Sequence, residues 1–160
     1  MGAVATPRPG PGQADPARDT PAAAQFHAST VALDGRAVMI RGASGSGKSG
    51  LALQLMALGA RLVADDRTDI TLRDGWPVAS APPTIRGRIE ARGIGILAAD
   101  PAGPAPLVLV VDLDTAEQAR MPPPRQTRVL TQQVPLLHKV ESVHFAAAIM
   151  QYLKAGPALM

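Results

Sequence analysis

From Gln25 onward, polar and apolar positions fall into short runs separated by turn residues. "HASTVALDG" and "RAVMIRG" read as two short strands joined at Asp34-Gly35, the dipeptide of a tight hairpin. The period then changes. "KSGLALQLMALGA" places Leu51, Leu55 and Leu58 on one helical face with Leu53 and Met56 beside them, and Gly59 is suited to the C-terminal cap, so a helix of about three turns is expected. "RLVADD" is a short apolar strand ending in two carboxylates. "TDITLRDG" alternates like a further strand with a turn at Asp74-Gly75, and "PLVLVVDL" reads as a buried strand. Near the end, "ESVHFAAAIMQYLKAG" has helical spacing through Val143, Ala147, Met150 and Leu153, stopped by Gly156-Pro157, and would cover one face of the sheet. "MPPPRQ" (121–126) is a proline-stiffened loop. The pattern describes an α/β chain rich in strands and poor in helices.

Residues 1–24 contain five prolines and three glycines and almost no large apolar side chain, too little to offset the entropy of ordering, so a disordered tail is expected ahead of one domain at 25–156. That domain can build a core, since 46% of the 160 residues are hydrophobic and 18% charged. Cysteine is absent, which excludes disulfides and thiolate metal sites and fits a reducing cytoplasm. The net charge of +3 suits an anionic ligand, and all but three of the 16 basic residues are arginine. They form no block, and with two Phe, one Trp and one Tyr there is little for bases to stack on, which argues against a nucleic-acid partner. The apolar runs fall far short of the roughly 20 residues needed to cross a bilayer, which argues against a membrane.

The stretch "GASGSGKSG" lies between a predicted strand and a predicted helix and satisfies G-x-x-x-x-G-K-[ST] through Gly42, Gly47, Lys48 and Ser49. The residue types follow from the chemistry. Glycines at 42, 45 and 47 let the backbone approach an anion closely, so that the amides of Gly42, Ala43, Ser44, Gly45, Ser46 and Gly47 can converge on phosphate oxygens at a helix N-terminus. Lys48 would neutralise the outer phosphates, and the Ser49 hydroxyl would ligate magnesium.

Magnesium held by one hydroxyl and two phosphates usually needs a carboxylate as well. Two candidates compete. Asp112, at the end of "LVLVVD", suits a generic P-loop NTPase or small-molecule kinase. Asp65-Asp66 follows the loop by fewer than twenty residues, and strand alternation would send its two carboxylates to different sides, one toward a metal or histidine and one toward an acceptor. His27, on the first strand, would lie beside them.

"FHASTVALDGRAVMIRGASGSGKSGLALQLMALGARLVADDRTDI" followed by "IEARGIGIL" resembles the catalytic domain of HPr kinase/phosphorylase, the bacterial enzyme that phosphorylates and dephosphorylates a serine of the phosphocarrier HPr. The likeness runs over about residues 26–115 in matching order and spacing. It implies a P-loop kinase of the phosphoenolpyruvate-carboxykinase-like type, with a mixed or antiparallel sheet and few helices, using ATP and Mg2+. By the resemblance, Gly42 to Ser49 bind ATP, Asp66 acts as base toward the serine hydroxyl and as acid in reverse, Asp65 supports the site, and His27 is the histidine upstream of the loop. Glu90 joins Ser49 as a magnesium ligand, Arg92 to Leu97 fall in the family's signature, and Asp112 is structural, ending a core strand. The partner implied is HPr or a related carrier, in the cytoplasm, with an oligomer, a hexamer in the family.

Full-length relatives carry a further N-terminal domain, so the likeness is to the short form of some proteobacteria. Gly50 stands where the family usually has Glu, and the C-terminal part lacks a clear "PV(R/K)xGR". These departures support kinase chemistry over dephosphorylation, and they leave a nucleotide-sensing module without catalysis as another reading beside the small-molecule kinase.

Overall fold

The computed structural model describes residues 22–158. The expected tail at 1–24 lies outside them except for its last three residues, of which Ala23 and Ala24 already belong to the first strand. In chain order the elements are β1 (Ala23–Phe26), β2 (Ala28–Leu33), β3 (Arg36–Arg41), α1 (Lys48–Ala57), β4 (Arg61–Ala64), β5 (Thr68–Arg73), β6 (Trp76–Ser80), a 3-10 turn at Pro83–Ile85, β7 (Arg88–Ala91), β8 (Gly95–Ala98), β9 (Ala105–Ala116), β10 (Gln126–Val129), β11 (Gln132–Lys139) and α2 (Phe145–Ala155).

Nine strands form one curled sheet in the order β1-β5-β6-β9-β3-β2-β4, with β11 attached to β9 and β10 to β11, while β7 and β8 form a separate hairpin. β9 runs parallel to β3 and β11, and the other pairs are antiparallel. The expected mixed sheet with few helices is therefore present. The β2–β3 turn places Asp34 and Gly35 at φ 50° and 75°, and the β5–β6 turn places Asp74 and Gly75 at 52° and 76°. Both Asp-Gly pairs thus form turns of the kind that match strand twist.

The central strands are buried on both faces, which is why they read as apolar runs rather than clean alternations. Val31, Val38, Ile40, Leu109 and Val111 pack against Leu51 and Leu55 of α1 and Ile149 and Leu153 of α2. On the other face Ala28, Ala32, Ala37, Met39, Leu107 and Val110 meet Ile70, Ala79 and Val134. A register shift between Ala37 and Val38 opposite β9 moves β9 from one inward phase to the other, so that Leu107 and Val110 share a face. Burying Leu55 and Ile149, both fully enclosed, contributes about 1.5–3 kcal/mol each.

Three expectations need correction. Leu58 is 50% exposed, because the chain reverses there: Gly59 N–H bonds to Met56 O and Ala60 N–H to Leu55 O, both at 3.0 Å, which closes α1 one residue earlier. Val143 and Ala147 are exposed, since α2 begins only at Phe145 and its inner face is Phe145, Ala146, Ile149, Met150 and Leu153. Asp112 does not end its strand, which continues to Ala116.

Register places the site. Arg41 at the end of β3 lies opposite Ala28, and Ala64 at the end of β4 lies opposite Thr30. The loops leaving β3 and β4 therefore emerge on either side of the start of β2, where His27 and Ser29 are.

Candidate active site

The loop from Gly42 to Gly47 wraps into α1 with little side-chain help. Ser46 N–H bonds to Ala43 O at 3.0 Å, and Leu51 N–H bonds to Gly47 O at 2.9 Å, the first bond of the helix. Gly47 precedes α1 at φ 103°. A Cβ on Gly42 would meet Ser46 Oγ at 2.5 Å, so the loop can close this tightly only around glycine. Lys48, 6% exposed, folds back over the loop and donates to Gly42 O at 3.0 Å and Ala43 O at 3.2 Å. Its ammonium and the free end of the helix form a compact positive region that favours an anion.

On the β4 side, Asp65 is 9% exposed and its carboxylate accepts three hydrogen bonds. Oδ1 accepts from Ser49 Oγ at 2.6 Å and Ser29 Oγ at 2.8 Å, while Oδ2 accepts from Glu90 N at 2.9 Å. Asp66 turns the other way, with its backbone at φ 69° and its amide donating to Ser29 Oγ at 3.1 Å. Its Oδ1 lies 2.6 Å from His27 Nε2, both side chains being about half exposed. The two carboxylates diverge, but not by the expected strand alternation: β4 ends at Ala64, the bend after it with Asp66 at φ 69° turns them apart, and the carboxylate that meets His27 is also the one that borders the cleft. His27 lies between β1 and β2 rather than on a strand.

A cleft of about 380 Å³ opens over the loop, lined by Gly45, Lys48, Ser49, Asp66, Glu90 and Arg92 among others. Glu90 reaches it from β7 while its amide fixes Asp65, so the β7–β8 hairpin contributes both a carboxylate and a backbone clamp. Gly50 also borders the cleft, with open space where a Cβ would project. Gly42, Ala43, Ser44 and Ser46 complete the loop, with Ser46 Oγ tucked beneath it against Gly42.

Asp112 is placed elsewhere. It accepts from Arg41 Nη2 at 3.3 Å and from Asp114 N at 2.8 Å. Asp114, which the motif reading overlooked, accepts from Ala43 N with both oxygens, at 3.0 and 3.1 Å. Its only signal in the sequence was a second acidic residue two positions after Asp112, on the same side of a strand.

The donor set fits magnesium. Ser49, Asp65 and Glu90 present hard oxygen ligands beside the phosphate loop, and among the described residues no group of three or more ionisable side chains forms a metal cage of its own. Such a site suits a cation that arrives with phosphate oxygens and keeps part of its water.

The model of the HPr Serine kinase C-terminal domain matches residues 20–101, just over half of the 160. The chain belongs to this family. The matched stretch contains His27, Ser29, the phosphate loop, Asp65, Asp66, Glu90 and Arg92, and it stops short of Asp112 and Asp114. Within the family, HPr kinase/phosphorylase of Enterococcus faecalis is 47% identical over 72 residues, which are 44% of this chain and 23% of that protein. The protein of the same name from Clostridium botulinum is 42% identical over 73 residues, 46% of this chain and 24% of that one. The chain thus spans about a quarter of the length of these relatives. The structure of the Hpr(Ser) kinase/phosphatase from Coxiella burnetii superimposes with a TM-score of 0.66 at 23% identity, covering 82% of this chain and 88% of that one, a likeness of fold. Among the described residues no helix is long and apolar enough to cross a membrane.

Proposed function

We propose that the protein is an ATP- and Mg2+-dependent serine kinase acting on HPr or an HPr-like phosphocarrier, built on the P-loop fold type shared with phosphoenolpyruvate carboxykinase and assembled as an oligomer in the cytoplasm. The observation that carries this reading is the divergence of Asp65 and Asp66: one carboxylate binds the phosphate-loop serine, and its neighbour faces the cleft paired with His27. A nucleotide-binding loop needs only the first, whereas phosphoryl transfer to a hydroxyl needs both.

Phosphoryl transfer asks for positioning and charge neutralisation more than covalent chemistry. The loop amides and Lys48 hold the β- and γ-phosphates, Lys48 leaving the carbonyls of Gly42 and Ala43 to do so. Ser49 and Glu90, with Asp65 behind Ser49, would hold magnesium, which when bound would supply positive charge to the phosphate oxygens. The acceptor serine hydroxyl lies against Asp66, which takes its proton as the oxygen–phosphorus bond forms and the bond to the ADP oxygen breaks. His27 Nε2, hydrogen-bonded to Asp66, keeps that carboxylate turned to the cleft. Arg92, at the cleft wall, is placed to balance the developing phosphate charge.

The test is transfer from labelled ATP to HPr with Mg2+ present. Wild-type protein should label a serine of HPr, and Asp66→Asn should lower kcat by about 100-fold or more, within the range for loss of a general base. An Asp66→Asn protein that labels HPr at the wild-type rate removes the base from this mechanism. ATP binding with no transfer to HPr would leave the fold assignment intact and move the function to another acceptor.

A further inference from the structure

The two aspartates of the site are joined by a third residue, Ser29. Ser29 is fully buried at the start of β2. A serine hydroxyl has one proton and two lone pairs. Here the proton goes to Asp65 Oδ1 at 2.8 Å, and a lone pair receives the Asp66 amide at 3.1 Å. One hydroxyl thus fixes the side chain of one aspartate and the backbone of the next.

We propose that Ser29 is a positioning residue that sets Asp65 and Asp66 as a pair, the first toward Ser49 and magnesium and the second toward the acceptor. This rests on the kinase reading above. Asp65 Oδ1 receives both Ser29 and Ser49, so Ser29 holds the carboxylate in place, and the Ser49 hydroxyl, its proton committed to Asp65, would have its lone pairs free for a metal. Asp66 occupies left-handed backbone at φ 69°, a conformation that costs a non-glycine residue and persists only where the surroundings impose it. The bond from its amide to Ser29 is part of that imposition. Without the hydroxyl, Asp65 keeps Ser49 and Glu90 N but gains freedom about its side-chain bonds, and Asp66 is released from the turn that presents it beside His27.

The neighbouring residue supplies a control. Thr30 is equally buried on the same strand, but its hydroxyl meets Thr68 Oγ1 at 2.8 Å on the opposite face of β2. Loss of the Ser29 hydroxyl removes two hydrogen bonds, one to the Asp65 carboxylate and one from the Asp66 amide, whereas loss of the Thr30 hydroxyl removes one, to Thr68, and touches neither aspartate.

The experiment compares Ser29→Ala and Thr30→Val with wild type in two measurements: ATP affinity by calorimetry with and without Mg2+, and kcat and KM for transfer to HPr. Ser29→Ala should bind ATP alone as wild type does, lose about tenfold of the affinity gained from Mg2+, and lower kcat about 10–100-fold at unchanged KM for HPr, the range for residues that orient a metal ligand. Thr30→Val should keep the Mg2+ gain and kcat even where its unfolding midpoint falls as far. A Ser29→Ala protein with the full Mg2+ gain, or a Thr30→Val protein that loses as much of it, overturns the proposal. Should wild type label no HPr, the kinase reading fails while the Mg2+ measurement still decides the role of Ser29.

Discussion

The phosphate loop is flanked by two pairs of carboxylates, and they are used in opposite ways. On the β4 flank, Asp65 meets the loop's serine and Asp66 faces the cleft beside His27. On the β9 flank, Asp112 is held by Arg41, and Asp114 clamps the amide of Ala43 where the loop begins. β9 lies parallel to β3, next to the strand that feeds the loop, which is where a generic P-loop enzyme would carry its metal carboxylate. Here that flank anchors the loop from outside, and the proposed mechanism puts the chemistry at the end of β4. The difference shows that proximity to a phosphate loop does not assign a carboxylate its role; the group that already satisfies it does.

The comparison breaks most readily at Asp65 and Asp112. Asp65→Asn should lower Mg2+-dependent phosphoryl transfer by about 100-fold or more, since it removes the charge facing Ser49 and the metal. Asp112→Asn should stay within a few-fold of wild type, because an amide oxygen can still accept from Arg41 Nη2, 3.3 Å away in a partly buried pair, and from the Asp114 amide. Transfer rates for the two proteins, measured side by side across Mg2+ concentrations, decide the matter. Equal losses would place the metal on the β9 flank after all.

Asp114 sharpens the same contrast with a smaller effect. If it acts by holding the loop, Asp114→Ala should weaken nucleotide binding about 3–10-fold, while Asp114→Asn, which keeps an acceptor for Ala43 N and loses the charge, should bind nearly as wild type. Calorimetric titration with ADP separates the two. Tighter binding by both variants would mean that Asp114 acts on phosphates by repulsion rather than on the loop by hydrogen bonding.

Much of the β4 flank was legible in the sequence because its signals are local. The loop, the turn pairs Asp34-Gly35 and Asp74-Gly75, and the adjacent carboxylates each depend on a few consecutive residues. What escaped was tertiary. Ser29 reaches Asp65 across 36 positions and Asp114 reaches Ala43 across 71, so no periodicity joins them. The inner face of α2 was misjudged for a related reason: Ser142 and His144 form a turn before the helix, with Ser142 Oγ 2.8 Å from His144 Nδ1, which delays its start and rotates the buried stripe from Val143 and Ala147 to Ala146 and Ile149.

The smallest effect belongs to a carboxylate committed entirely to the fold, and it tests the idea that satisfaction assigns role. Glu117 follows β9, and its side chain is 8% exposed. It accepts from Arg125 Nε at 3.1 Å and Nη2 at 3.0 Å, and from the amides of Gln118 and Ala119, both at 3.1 Å, which ties the proline loop 121–125 back to the strand. The Arg125 hydrogen bonds, with help from the two amides, lower its pKa from 4.5 to about 2. A carboxyl whose pKa is depressed by folding stabilises the protein above its unfolded pKa and loses that contribution as pH falls toward the folded one. The stabilisation from Glu117 should therefore be complete above about pH 5 and fade between about 4.5 and 2. Glu117→Gln should unfold at lower urea concentration than wild type at pH 7, with the gap narrowing through that window as Glu117 takes up its proton. Nucleotide binding at pH 7 should be unchanged, because nothing in this cluster touches the phosphate loop. A gap that stays constant to pH 2 would show that the substitution acts through packing, and a loss of nucleotide affinity would tie this carboxylate to the site and undo the division between the two flanks.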